Sequence, residues 1–91
     1  MVTGVALINV QHGSVNSVAE ALAALEGVSE VYSVSGNYDL VAIIRVRDND
    51  ALAHLMTDDM GKIEGITNTH TMLAFRAFSR HDLERMFSVG S

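Results

Sequence analysis

The sequence predicts one α+β domain in which two β-α-β units follow each other. The first observation is a repeated apolar pattern, because VALINV at residues 5–10 returns as VAIIRV at residues 41–46. The second is an echo in the same order, because LEGVS at residues 25–29 returns as IEGIT at residues 63–67. Each half therefore has the order strand, helix, glycine and a strand rich in Ser and Thr. A chain of 91 residues has room for one such core.

Apolar residues at helical spacing predict one helix in each half. The stripe of the first helix consists of Val15, Val18, Ala19, Leu22 and Leu25. The stripe of the second consists of Leu52, Leu55, Met56 and Ile63. Ser14 is the expected N-cap of the first helix and Gly27 its stop. Asp48, Asn49 or Asp50 is the expected cap of the second, and each helix should lie on a sheet.

The strand patterns predict the order of the sheet. Residues 5–10 and 40–46 are apolar on both alternating faces, which is typical of central strands. Residues 28–34 and 66–78 carry polar side chains in alternation, as edge strands do. Right-handed crossovers then lead to a ferredoxin-like βαββαβ sandwich, an antiparallel four-stranded sheet with both helices on one face. The other face lacks a cover, so we expect a homodimer at least, in the manner of a dimeric α+β barrel.

Composition narrows the classes of partner. Of all residues 48% are hydrophobic, more than one small core needs, and the net charge is −5. All six basic residues lie at or beyond Arg45, so the first half carries only acidic charge. This balance argues against autonomous binding of nucleic acid and against docking on anionic lipid. We expect proteins or small molecules as partners.

The sequence also predicts the compartment. With no cysteine, the chain has no disulfide framework and no thiolate ligand for a metal. Its apolar stretches are interrupted well before the roughly 20 residues that span a bilayer. The start, Met1-Val2-Thr3, lacks the basic residues of a signal peptide. We therefore expect a cytoplasmic protein without a membrane partner.

No pattern of catalytic residues stands out. The histidines are His12, His54, His70 and His81, and their spacing fits no recognised metal motif. Phosphate-binding glycine loops and nucleophile elbows are absent from the sequence. Asp58-Asp59 is typical of a solvated helix face, with Asp58 paired to His54 four residues earlier. We therefore expect no enzyme, no cofactor and no metal.

The segment from Ser35 to Asp39, with the sequence SGNYD, offers two interpretations. It joins a hydroxyl, a permissive glycine, an amide, a phenol and a carboxylate at a turn where backbone groups lack partners. Such a group can hold a zwitterion, with amides for its carboxylate and Asp39 or carbonyls for its ammonium. The same residues can simply build a turn in which Gly36 and Asn37 adopt positive φ.

Further along, alternation places Thr69 and Thr71 on one face of the last strand and His70 and Met72 on the other. The threonines are good strand formers and also offer hydroxyl groups.

We divide the chain into a folded domain, residues 1–78, and a C-terminal tail, residues 79–91. The start of that tail, SRHD, resembles a capping box ahead of a short helix, which can act as a lid or as an oligomer clasp.

Two motifs flank the second helix: the turn Gly36-x-Tyr38-Asp39 and the strand Gly65-Ile66-x-x-Thr69-x-Thr71. Together with the order of the elements, these motifs resemble the effector-binding domain of the Lrp/AsnC family, also called the RAM domain. The resemblance covers nearly the whole chain. Residues 75–82, FRAFSRHD, look like those of stand-alone members of the family. Typical members carry a helix-turn-helix ahead of this domain, whereas strand one here begins within a few residues of Met1.

The resemblance implies a ligand-sensing and assembly module that acts through ligand-linked assembly or partner binding rather than by direct contact with DNA. Family dimers pack sheet on sheet and associate into rings of four or five dimers, an octamer or a decamer. Amino-acid effectors bind between the dimers. A full-length Lrp/AsnC regulator is a further candidate partner.

The residues that this resemblance implies for ligand binding are Ser35, Gly36, Asn37, Tyr38, Asp39, Thr69 and Thr71. Gly36, Tyr38 and Asp39 match the turn that lines the effector cleft, and the two threonines match the strand beside it. Asn37 stands where the family often has an acidic residue. Two alternatives stay open, since fold does not decide function: a monooxygenase-like α+β barrel enzyme, and an ACT-like regulatory domain.

Overall fold

In the computed structural model, four strands and two helices follow one another along residues 1–80, the part of the chain that the structure describes. The strands are β1 (Val2–Val10), β2 (Val28–Ser33), β3 (Leu40–Val46) and β4 (Ile66–Ala74). The helices are α1 (Val15–Ala23) and α2 (Asn49–His54). Helix α2 leads into a π-helical turn, Leu55–Asp59, and a 3₁₀ turn, Met60–Lys62.

The four strands form one antiparallel sheet in the order β2-β3-β1-β4. This order confirms the ferredoxin-like α+β fold and the prediction that the two strands with apolar residues on both faces are central. One row across the sheet joins Leu40 of β3, Ile8 of β1 and Thr69 of β4. Since neighbouring strands lie about 4.8 Å apart, β3 and β4 are roughly 10 Å apart at this end.

Both helices cover the same face of the sheet, as predicted. The buried core consists of Ala6, Ile8, Val18, Leu22, Leu40, Ala42, Ile44, Leu55 and Met60. Even-numbered residues of β1 and β3 supply the strand side of this core. The odd-numbered residues Val5, Leu7, Val41 and Ile43 point to the helix-free face and are only half-buried.

A capping hydrogen bond forms at one of the two predicted helix N-caps and not at the other. Ser14 holds the N-cap position of α1, but its hydroxyl makes no capping hydrogen bond. Asp48, one of three candidates, caps α2, because its Oδ1 accepts a hydrogen bond from the Ala51 amide at 2.8 Å. Gly27 follows α1 with φ 98° as expected of a stop signal. Leu25 lies beyond the end of α1 and still packs against the core.

The second helix is not the continuous α-helix that its stripe predicts. After His54 the chain widens into the π-helical turn, and the buried residues Leu55 and Met60 stand five positions apart. Five is the hydrogen-bond spacing of a π-helix. The predicted stripe therefore missed Met60, whose side chain is only 4% exposed.

The last strand is shorter than predicted. It ends at Ala74 rather than at residue 78, because Ala74 pairs with Thr3 and β1 begins at Val2. Phe75 and Phe78, which follow it, are 92% and 78% exposed. The predicted C-terminal helix falls mostly on residues 81–91, outside the described residues, and the division at residues 78 and 79 stays a prediction. Within residues 1–80, no helix is long and apolar enough to cross a membrane.

Candidate ligand-binding site

The segment from Ser35 to Asp39 closes the hairpin between β2 and β3. The Val34 amide donates to the Asp39 carbonyl at 3.0 Å, which forms the base of the loop. Gly36 has φ 104°, a conformation that favours glycine. Asn37 does not share it, so the prediction of positive φ at both residues is wrong for Asn37.

Asp39 ties this loop to the end of β1. Its amide donates to the Ile8 carbonyl at 2.9 Å, and its Oδ2 accepts from the Val10 amide at 2.9 Å. The register between β1 and β4 shifts between Asn9 and Val10. The carboxylate therefore satisfies an amide at an irregular point of the sheet, which gives Asp39 a structural role that composition did not indicate.

Two asparagines that the sequence interpretation missed extend this connection across the sheet. Asn9 donates through Nδ2 to the Asn37 carbonyl at 2.9 Å. Asn68 on β4 donates through Nδ2 to Oδ1 of Asn9 at 3.4 Å. A signal for Asn9 existed in the sequence, because it is the one polar side chain in VALINV.

The loop leaves hydrogen-bond donors available. Ser35, Gly36 and Asn37 are exposed, while Tyr38 and Asp39 are half-buried. Within residues 1–80, the amides of Ser35 to Tyr38 donate no hydrogen bond to other groups. Unpaired amides that cluster in a loop suit an anionic group such as a carboxylate.

Thr69 and Thr71 lie on the other side of the sheet. They pair with Ile8 and Ala6, so they share the face that the helices cover. Thr71 donates through Oγ1 to Sδ of Met56 at 3.7 Å, and Thr69 borders a small cavity. A single copy therefore brings the loop and Thr69 to one end of the sheet, with Thr71 nearer the middle, and does not join the loop and the threonines in one cavity.

A wider cleft of about 770 Å³ lies at the opposite end of the sheet, away from all seven predicted residues. Its lining includes Gly27, Val46, Asp48 and His54. Nδ1 of His54 lies 2.7 Å from Oδ2 of Asp58, as predicted for a solvated pair. In the described part of the chain, no group of three or more His, Cys, Asp or Glu side chains is arranged to hold a metal ion.

One titratable group on the helix-free face is perturbed. The hydroxyl of Tyr32 donates a hydrogen bond to the Glu30 carboxylate. This bond, together with the negative charge of Glu30, raises the pKa of Tyr32 above its ordinary value. Arg45 lies 3.9 Å from the same carboxylate, so the three side chains form a polar edge beside the apolar residues of this face.

Residues 3–83 match the family described as the Lrp/AsnC ligand binding domain. The chain belongs to this family. The resemblance inferred from the Gly36-x-Tyr38-Asp39 turn and the β4 motif is therefore confirmed.

Relatives of this Lrp/AsnC domain are transcriptional regulators. The HTH-type transcriptional regulator FL11 of Pyrococcus furiosus is 37% identical over 70 residues, which are 77% of this chain and 46% of that protein. The chain thus spans less than half of the regulator's length. None of these observations favours the monooxygenase-like or the ACT-like alternative.

Solved structures of similar fold include whole chains and parts of longer ones. TTHA0845 from Thermus thermophilus superposes with a TM-score of 0.82 at 44% identity, covering 88% of this chain and 100% of that one. Escherichia coli AsnC superposes with a TM-score of 0.81 at 25% identity, covering 87% of this chain and 54% of that one. The fold of this chain therefore corresponds to the whole of the first structure and to about half of the second.

Proposed function

We propose that the chain is an amino-acid effector-binding and oligomerisation module, which couples ligand binding to assembly and makes no direct contact with DNA. The observation that carries the proposal is the division of the candidate ligand residues. The Ser35–Asp39 loop is tied to Asn9 on the helix-free side, whereas Thr69 and Thr71 lie on the helix side. A ligand that touches both groups needs residues from two copies.

The helix-free face supplies the first contact between copies. Its centre consists of Val5, Leu7, Val41 and Ile43, all half-buried. Tyr32, Glu30 and Arg45 form a polar edge beside them. An apolar centre with a polar rim is the usual anatomy of a protein interface. A second copy fits this face as a two-fold homodimer, and membership of the family favours further association into an octamer or a decamer.

The loop suits the head group of an amino acid. The free amides of Ser35 to Tyr38 are donors for the α-carboxylate, and Oδ1 of Asp39 remains for the ammonium while Oδ2 accepts from Val10. A structure of the transcriptional regulator NMB0573 from Neisseria meningitidis was solved as a complex with L-Met. That regulator superposes with a TM-score of 0.77 at 11% identity, so it shares the fold.

Ligand binding at a contact between dimers stabilises that contact by linkage. At a ligand concentration 100 times the Kd, the stabilisation is about 2.7 kcal/mol for one site. This is enough to shift assembly by roughly a factor of 100. A change of assembly state then alters the partners that the module can meet, among which a full-length Lrp/AsnC regulator is the first candidate.

Calorimetric titration with each of the common L-amino acids, followed by light scattering of the same samples, tests the proposal. We expect heat of binding for at least one amino acid and a rise in mean mass on binding. If no amino acid gives heat and none changes the mass, the proposed function is wrong. The titration is run at protein concentrations where light scattering detects dimers or larger species.

Three variants connect the result to named residues. Tyr38→Ala should weaken amino-acid binding, because its side chain lies in the loop. Asp50→Ala, in the cleft at the opposite end of the sheet, is the matched control and should bind normally. Ile43→Asp places a charge on the helix-free face and should yield monomers by light scattering. A dimeric Ile43→Asp variant would contradict the proposed dimer contact.

A further inference from the structure

Two large aromatic side chains lie exposed directly after the last strand. Phe75 is 92% exposed and Phe78 is 78% exposed. Arg76, between them, is also exposed and forms no ion pair within residues 1–80. Aromatic and arginine side chains are enriched at the centres of protein interfaces. Residues 75–78, with the sequence FRAF, therefore have the composition of an interface contact, and we call them the FRAF segment.

The cleft at the end of β3 has chemistry that matches this segment. Its lining combines the apolar residues Val46, Ala51 and Leu55 with the carboxylates of Glu26, Asp48, Asp50 and Asp59. Among the described residues, Glu26 and Asp50 have no cationic partner. The two arginines of the cleft, Arg45 and Arg47, already lie next to carboxylates. The cleft thus offers apolar contacts for phenyl rings and unpaired carboxylates for an arginine.

The size of the cleft also suits the segment. Its volume is about 770 Å³. A cavity of about 150 Å³ accommodates a molecule the size of benzene. The cleft therefore has room for two phenyl rings with the aliphatic part of an arginine between them, and its open side admits a segment of protein chain.

Within one copy the FRAF segment starts two strands away from this cleft. Ala74, the residue before it, pairs with Thr3, and Thr3 pairs with Arg45 of β3. Because neighbouring strands lie about 4.8 Å apart, Ala74 is roughly 10 Å from the strand that borders the cleft. The next residue advances the chain by about 3.8 Å, so Phe75 stays beside β1. In the described chain, no residue of β1 or β4 lines the cleft.

A second copy brings its segment to the cleft. When two copies pack on the helix-free face about a two-fold axis parallel to the strands, β1 lies over β3 and β4 lies over β2. The row of Ala74, Thr3 and Arg45 ends at Gly27, because the Gly27 carbonyl accepts from the Arg45 amide at 2.8 Å. Ala74 of the second copy therefore lies over Gly27, which lines the cleft. Packed sheets lie about 10 Å apart and four extended residues span about 13 Å, so the segment reaches the cleft.

We propose that the FRAF segment of each copy binds the cleft of the other, as a reciprocal clasp on the homodimer. Phe75 and Phe78 contact the apolar lining, and Arg76 pairs with Glu26 and Asp50. The inference rests on the homodimer of the proposed function and does not involve the amino-acid ligand. A segment of four residues buries much less than the roughly 1,200 Å² of a stable interface, so the clasp reinforces the contact across the helix-free face and does not replace it.

Cross-linking through introduced cysteines tests the clasp, because the chain has no cysteine of its own. Glu26→Cys and Ala77→Cys variants of the whole chain are co-expressed, purified without amino acids and treated with a short bismaleimide. Both positions are exposed. We expect covalent dimers in which mass spectrometry of tryptic peptides links residue 26 of one copy to residue 77 of the other. Glu64→Cys replaces Glu26→Cys in the control, because Glu64 is also an exposed glutamate and lies just before β4, at the opposite end of the sheet.

The outcomes separate the clasp from the proposed function. If light scattering shows dimers but the link between residues 26 and 77 is no more frequent than the control link, the inference is overturned and the dimer stands. If light scattering shows only monomers, the inference and the proposed dimer contact both fail. The double variant Glu26→Cys/Ala77→Cys should also give links between chains. Links within single chains would show that the segment binds its own cleft, which overturns the inference.

Variants without cysteine test the side chains. Phe75→Ala combined with Phe78→Ala should raise the dimer dissociation constant about tenfold or more in sedimentation equilibrium, because burial of a phenyl ring contributes at least such a factor. Arg76→Glu should weaken the dimer at low salt, and the added change Glu26→Lys should recover part of the loss. Circular dichroism checks the fold of each variant. An unchanged dissociation constant in the double alanine variant overturns the inference.

Discussion

Replacing Asp39 by Ala tests whether its carboxylate is part of the fold. Oδ2 accepts from the Val10 amide at 2.9 Å in a part-buried position, next to the register shift after Asn9. Hydrogen bonds to charged groups contribute about 1.5–3 kcal/mol. Because water can reach a part-buried amide, we expect the low end, about 1.5 kcal/mol. For a domain of 91 residues this lowers the melting temperature by about 6–12 °C.

The measurement is urea unfolding followed by circular dichroism, at one protomer concentration and without amino acids. Glu64→Ala, at an exposed position, is the control and should change the free energy of unfolding by less than about 0.5 kcal/mol. Asp39→Asn keeps an acceptor oxygen and should recover part of the loss. If Asp39→Ala is as stable as the control, the carboxylate does not stabilise the sheet. Its contribution would then be confined to ligand binding.

Three further predictions concern other residues. Gly27→Ala should destabilise the fold more than Gly36→Ala does. Both glycines have positive φ, which costs about 1–2 kcal/mol for any other residue. In addition, a Cβ at residue 27 would lie 2.9 Å from a side-chain atom of β3, whereas a Cβ at residue 36 would have no neighbouring atom within 4 Å. Thermal melting at equal concentration gives this difference, and equal melting temperatures would contradict it. Asp48→Ala removes the N-cap of α2 and should lower the free energy of unfolding by about 1 kcal/mol, measured by urea unfolding. Ser14→Ala should change it by less than about 0.5 kcal/mol, because the Ser14 hydroxyl makes no capping hydrogen bond. The raised pKa of Tyr32 means that its phenol stays protonated above the ordinary tyrosine value, so in Tyr32→Phe an alkaline absorbance titration should lose an ionisation that occurs above that value.

The order of the sheet was predictable because burial leaves a direct trace in strand patterns. A strand with a neighbour on both sides is apolar on both alternating faces along most of its length, as β1 is over residues 5–8 and β3 over residues 40–44. The end of β4 was not predictable in this way. Its own alternation continues past Ala74, but pairing stops where β1 begins, at Val2. The length of a strand depends on its partner, and one strand's pattern does not contain that information.

The second helix does not keep the period of 3.6 residues on which its sequence prediction rests. Leu55 and Met60, five residues apart, are both buried, which fits a π-helical turn and not an α-helix. Near this change the hydroxyl of Thr57 donates to the Ala53 carbonyl at 2.7 Å, a contact that competes with regular backbone hydrogen bonds. Leu55 and Met60 join the core that β1, β3 and α1 supply, so the position of the turn depends on residues distant in sequence and residue periodicity alone could not reveal it.

At the candidate site, the position of the Ser35–Asp39 loop between two strands was predictable from the sequence, and its hydrogen-bond partners were not. Asp39 bonds to a residue 29 positions earlier, and the Asn37 carbonyl bonds to one 28 positions earlier. Only the register of β1 against β3 brings these groups together. The same register decides that Thr69 faces the helices while Asn9 faces away. The loop is held on one side of the sheet and the hydroxyl groups lie on the other, so under the proposed function a ligand that contacts both links binding to assembly.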